Sequence, residues 1–283
     1  MTQGSGWTDP TEKTREQQYM RKTLIALAAA AAAVTAVATP ASAITRGGEP
    51  DDGAHPYVGL MVAQDADGNP LWRCSGTLIS PTVYVTAGHC TEAPAAKAAI
   101  WFDEDVESGI PENGYPFVGD VAGTTHTYTD YIPEAFYFAD LGVVVLDTPY
   151  ERDEYAELPT EGYVDGIGKG RRNAAVTVVG YGLQKVNPVF VQAERVRLRA
   201  DVMIVDTNGV AGIGNIPGSN SMVLSGDAKH GGTCFGDSGG PTLRGNVLLA
   251  VTSFGLNGNC AGIGGVYRID DAPQLEFING FLD

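Results

Sequence analysis

Short strand-like runs separated by turn residues, with almost no helical period between them, restrict this chain more than any other feature. Residues 83–85, 143–146, 176–179 and 247–254 are dominated by apolar and β-branched side chains. Runs of that length and composition suit strands. Val196 and Leu198 alternate with Arg195, Arg197 and Arg199, as a half-buried strand would. Asp67-Gly68-Asn69, Asn113-Gly114 and Asn257-Gly258 punctuate the runs as turns. A helical period emerges only over residues 273–282, where Leu275, Ile278 and Leu282 would share the core-packing face of a closing helix. Strands at such intervals without helices between them predict an all-β fold, a barrel or a sandwich. Hydrophobic residues make up 43% of the 283, ample for a core. The Pro- and acid-rich segment 147–162 is the natural linker between two halves, and no internal repeat is visible.

The first 43 residues follow a different rule. Arg21 and Lys22 precede an apolar, alanine-rich tract over 24–38, followed by the small-residue end Ala41-Ser42-Ala43. A basic head, an apolar middle and an Ala-x-Ala end predict a secretory signal peptide over 1–43, with Met20 as an alternative start. The tract of roughly 15 residues is short of the roughly 20 that a membrane span needs. Export would leave 44–283 outside the cell. The net charge of the whole chain is −16, and the leader carries four basic and three acidic residues, so the remainder is slightly more acidic still. Such a surface repels phosphate backbones and anionic headgroups, which excludes nucleic acid and membrane partners. All four cysteines, Cys74, Cys90, Cys234 and Cys260, fall in the exported part. An even number in an oxidising compartment predicts two disulfides, and three pairings are open. No Cys-x-x-Cys pair exists, so zinc is discounted and no metal or cofactor is expected.

Chemistry concentrates in GGTCFGDSGGP, residues 231–241. Glycine loses the most conformational entropy on folding, so a cluster this dense belongs where the backbone takes a positive φ or approaches another group closely. Ser238 would then be a presented nucleophile, and a serine needs a base within hydrogen-bond reach and a group to orient that base. Of His55, His89, His126 and His230, His89 stands in TAGHC directly after a strand, next to a cysteine that could pin its loop. Asp140, in FADLGVVVLD, precedes an uninterrupted apolar run that draws it inward, where a charge needs a partner. The glycines around Ser238 also fit the G-x-S-x-G elbow of α/β-hydrolases, but that fold requires a histidine after the serine and none follows Ser238. Asp65, Asp67 and Asn69 suggest calcium, yet the loop has no terminal Glu, and a hairpin turn accounts for them better.

TAGHC, ADLGVVVLD and GDSGGP, in that order and with Cys234 before the last, resemble the trypsin/chymotrypsin family of serine proteases, in its secreted bacterial form. ITRGG, HPYVGL, CSGTLIS and SFG extend the resemblance over nearly all of 44–283. The resemblance implies two six-stranded antiparallel β-barrels, about 44–150 and 151–283, a C-terminal helix, and an active site in the cleft between them. It implies a secreted, monomeric endopeptidase acting on protein or peptide substrates, with His89, Asp140 and Ser238 catalytic. A protease fold kept only for binding is the alternative, although no triad member is missing. The backbone N–H groups of Gly236 and Ser238 would form the oxyanion hole, and Asp237 would pair with the amine of Ile44, exposed by cleavage after Ala43. Thr45 and Arg46 before Gly47-Gly48 depart from the family's Ile-Val-Gly-Gly start. The implied disulfides are Cys74 with Cys90 and Cys234 with Cys260. The substrate slot would have Gly232 and Thr233 at its base and Ser253, Phe254, Gly255, Gly264 and Gly265 in its walls. With no acid at Gly232, bulky apolar or aromatic side chains are expected before the scissile bond rather than Lys or Arg.

Overall fold

Alternation of side chains across each strand decides where the sheets curl. The computed structural model describes residues 48–167, 174–187, 189–210, 220–226 and 231–282. The leader, Ile44 and His230 therefore lie outside the described residues. Six strands, β2 (Val58–Gln64), β3 (Pro70–Leu78), β4 (Val83–Thr86), β5 (Lys97–Trp101), β6 (Val121–Thr127) and β7 (Gly142–Leu146), close into an antiparallel barrel in the order β2-β3-β4-β7-β6-β5. A second barrel contains β8 (Ala175–Gly180), β11 (Leu198–Asp206), β12 (Ser221–Gly226), β13 (Pro241–Arg244), β14 (Val247–Gly255) and β15 (Gly262–Arg268). It runs β11-β12-β15-β14-β13-β8 and closes where Leu198 to Met203 pair with Gly180 to Ala175. Closure leaves neither sheet with a free edge. Strand β1 (Glu49–Pro50) lies on β11, while β9 (Lys185–Asn187) and β10 (Phe190–Gln192) form a separate hairpin.

In β11, Leu198, Ala200, Val202 and Ile204 point into the second barrel while their neighbours face outward, the period of two that a half-solvated strand requires. Strand β2 is buried along its whole length, and Trp101, Tyr84, Leu60, Met61 and Ile100 fill the first barrel. Each fully buried Leu or Ile contributes about 1.5–3 kcal/mol relative to exposure. This core continues into the second barrel through Val179, Tyr181, Leu243 and Tyr267, so the two barrels share apolar packing.

Arg197 departs from the alternation expected of residues 195–199. It is 3% exposed and turns inward: Nε donates to Asp51 Oδ2 at 2.8 Å, and Nη1 donates to the carbonyls of Phe102 at 3.0 Å and Val58 at 3.3 Å. A fully buried Asp51 explains the turn, since an unpaired carboxylate there would be far more costly than a buried pair. His55 completes the group, its backbone N–H and Nδ1 both meeting the Asp51 carboxylate. Burial opposes ionisation of Asp51, but the His55 hydrogen bonds and the Arg197 charge outweigh it and hold its pKa below the usual value.

Helix α1 is a single turn, Gly88–Thr91, and α2 is Ala272–Asn279. The closing helix thus ends earlier than its apolar spacing suggests, because Gly280 caps it by donating to the carbonyls of Glu276 and Ile278. Ile278 is buried, Phe277 meets the Tyr128 ring edge-on, Phe281 packs tilted on His126, and Leu282 lies beyond the helix, exposed. The 65–69 loop is a turn held by Asp65, whose Oδ1 accepts the N–H groups of Asp67 and Asn69. Among the described residues, no helix is long and apolar enough to cross a membrane.

Candidate active site

His89 is delivered by a short strand and held by its neighbours. β4 ends at Thr86, Ala87 stays extended, and the single turn of α1 carries His89 beside Cys90, which is bonded to Cys74 of β3. Asp140 stands just ahead of β7, the strand paired with β4, so the sheet register brings it under the histidine. Its carboxylate is completely buried and accepts three donors. The His89 backbone N–H reaches Oδ1 at 2.9 Å, His89 Nδ1 reaches Oδ2 at 2.9 Å, and the Ser253 hydroxyl donates to Oδ2 at 2.5 Å. Burial alone would push the His89 pKa down, but the charge of Asp140 and its hydrogen bond prevail and raise it above the ordinary histidine value. That arrangement fixes the ring orientation and turns Nε2 away from the carboxylate.

The serine loop is clamped from the other barrel by a residue that motif reasoning did not single out. Ser75, in β3, donates its N–H to the Ser238 carbonyl at 2.8 Å and its hydroxyl to the Gly236 carbonyl at 2.9 Å, and accepts the Tyr181 N–H at 3.0 Å. Two glycines make this approach feasible. Gly239 has φ +78°, and a Cβ there would lie 2.0 Å from Thr86 Oγ1. Gly236 has φ +95°, and a Cβ there would press on Arg73. The N–H groups of Asp237 and Gly240 are used within the loop, on the carbonyls of Cys234 and Asp237, and that of Gly239 donates to the Thr252 carbonyl of β14 at 2.7 Å, whereas those of Gly236 and Ser238 have no hydrogen-bond partner among the described residues. Asp237 points away from the cleft. It is fully buried, accepts the N–H groups of Gly182 and Cys234 at 2.8 Å each, and is pushed up to about 6 by that burial against the pull of the two hydrogen bonds and Arg73.

His89, Gly236 and Ser238 line one cleft of about 530 Å³. A model of the family described as Trypsin matches residues 44–271. The chain belongs to the trypsin family. It is 30% identical over 223 residues to a trypsin of Saccharopolyspora erythraea, covering 75% of this chain and 87% of that one. A chymotrypsin of Phaedon cochleariae is 27% identical, with 76% and 74% covered. Among solved structures, HL collagenase superimposes with a TM-score of 0.61 at 19% identity, covering 81% of this chain and 94% of its own. Human heparin binding protein gives 0.60 at 19%, covering 83% and 96%. These likenesses establish a two-barrel serine protease fold.

The trypsin-family pocket residues are only partly gathered. Thr233, Ser253, Phe254 and Gly255 line the cleft. Gly232 and Gly264 line a smaller adjoining cavity of about 20 Å³ together with Thr233, Gly226 and Leu224. Gly265 lies under the Phe254 ring, whose atoms stand 2.3 Å from where a Cβ would be. Ser253 also serves Asp140, a role its place in the wall did not suggest. Cys234 is bonded to Cys260. Cys74, Cys90 and His89 form the one grouping of metal-ligating atoms among the described residues, but both sulfurs are in the disulfide and offer no thiolate. The other described histidines have other partners: His55 meets Asp51, and His126 packs on Phe281.

Proposed function

We propose that this protein is a secreted serine endopeptidase that hydrolyses peptide bonds through an acyl-enzyme on Ser238. The carrying observation is His89, oriented by the buried Asp140 carboxylate and lining one cleft with Ser238 and two unused backbone N–H groups. In this reading the Ser238 hydroxyl attacks the scissile carbonyl as His89 Nε2 takes its proton, and the same proton passes to the leaving amine. Asp140 orients the ring and stabilises its charged form. The Gly236 and Ser238 N–H groups receive the oxyanion, a contribution of about 3 kcal/mol per donor in comparable enzymes. Water then repeats the sequence on the ester.

Uncharged residues around Thr233, Phe254 and Gly255 favour an apolar or aromatic side chain before the scissile bond, because a lysine or arginine finds no counter-charge at Gly232. The Ile44 amine, freed by cleavage after Ala43, is the cation for the Asp237 carboxylate, which is in no ion pair among the described residues. The test is made on enzyme purified from culture medium. Its N-terminal sequence begins at Ile44, it cleaves Phe, Tyr or Leu peptides faster than Lys or Arg peptides, and Ser238→Ala removes all but a trace of the activity. A Ser238→Ala variant that keeps most of the activity overturns the assignment.

A further inference from the structure

We propose that Arg73 is a specificity residue that takes a carboxylate on the leaving-group side of the scissile bond, so that peptides with Asp or Glu just after the cut are preferred. The inference rests on the serine-endopeptidase reading of the same cleft. Arg73 lines that cleft with Ser238 and Gly236. Its Nη2 and Nε stand 3.1 and 3.2 Å from the point a Cβ on Gly236 would occupy. The cation therefore sits against the backbone group proposed to hold the oxyanion. Successive residues of an extended peptide advance by about 3.3–3.6 Å, so Arg73 is within reach of the first or second residue on one side of the carbonyl.

That side is set by the rest of the cleft. Thr233, Ser253, Phe254 and Gly255 offer the slot for the acyl residue and belong to the second barrel. Trp72, Arg73 and Cys74 come from β3 of the first barrel, so the departing chain crosses the β3 side as the acyl half stays in the slot.

The charge of Arg73 is available. None of the described ion pairs includes it. Its main electrostatic neighbours are Tyr115, with which it also shares a side-chain hydrogen bond, Arg195 and Asp237. Arg195 is paired with Glu107, and the Asp237 carboxylate is turned from the cleft onto the Gly182 and Cys234 N–H groups. A half-buried guanidinium without a carboxylate is costly and stays charged, and its planar fork matches a carboxylate. Glu92 also lines the cleft, at the end of the turn bearing His89, so the negative charge lies by the histidine and the positive one by Gly236. In a chain of net charge −16, a cation at this place is a local exception to the overall field.

The experiment uses quenched fluorescent peptides with one common acyl half and Glu, Gln or Lys at the two positions after the cut. With the wild-type enzyme, kcat/KM for Glu exceeds that for Gln by about tenfold, as a charge-assisted hydrogen bond supplies, and Lys is poorest. Arg73→Gln brings the Glu-to-Gln ratio close to one, and Arg73→Glu reverses the order in favour of Lys. Wild-type enzyme that cleaves the three peptides equally overturns the proposal while leaving the peptidase reading intact, as does a Glu preference that survives in Arg73→Gln. Failure to cleave any of them overturns both. If the variants do not fold, the wild-type series alone decides.

Discussion

Asp140 shows how much one buried side chain can organise. With no exposure it must be fully compensated, and the three donors it collects come from His89 twice and from Ser253. The consequence is a histidine whose charged form is favoured. Because the proposed base His89 can accept a proton only when neutral, kcat/KM is expected to rise with pH with a midpoint above the ordinary value of about 6.5. Asp140→Asn removes the charge that outweighs burial, so the midpoint of the residual activity moves down. A pH–rate profile of the two enzymes checks this, and an unmoved midpoint would mean that Asp140 does not set the His89 environment. The His89–Asp140 contact and the place of Ser238 in the same cleft were legible because each residue sits in a short motif with its own chemical logic. Ser253 was visible only as a pocket wall, since nothing in SFG announces a hydrogen bond to a residue 113 positions away.

At the scale of elements, β3 joins the halves of the candidate site. Cys74 ties it to the histidine turn, Ser75 grips the serine loop and Arg73 rests on Gly236. Ser75→Ala leaves the buried Tyr181 N–H and the Gly236 carbonyl without their partner, at a cost of about 1–3 kcal/mol. The expected outcome is a lower Tm together with a lower kcat, because the loop loses both stability and position. Thermal unfolding and kinetics on the same preparation check it, and an unchanged kcat would free the loop from β3. Strand positions were readable from apolar runs, as β4, β7, β8 and β14 show. The end of α2 was not, because the capping geometry of Gly280 decides it and the apolar spacing through Leu282 continues past it.

Over the whole molecule, the two barrels are joined by shared apolar packing and by the Arg197–Asp51–His55 group at their junction. The closed sheets follow from the strand pattern, but this polar junction does not. Arginines at 195, 197 and 199 are indistinguishable in sequence, and only the tertiary position of Asp51 singles out Arg197. Arg197→Met leaves the buried Asp51 carboxylate with His55 alone and costs about 3–5 kcal/mol, whereas adding Asp51→Leu restores part of that loss. Denaturant unfolding of the single and double variants measures the difference, and a double variant no more stable than the single would refute the pairing as the cause.

Whether all of this converges on one nucleophile is tested most directly by covalent labelling. The intact mass of the purified protein is measured after treatment with a fluorophosphonate, and the adduct is mapped by peptide fragmentation. A single adduct on Ser238, lost in His89→Ala, is the result this account predicts. An adduct on another residue would contradict it, and an unlabelled protein would contradict it and leave a protease fold kept for binding alone.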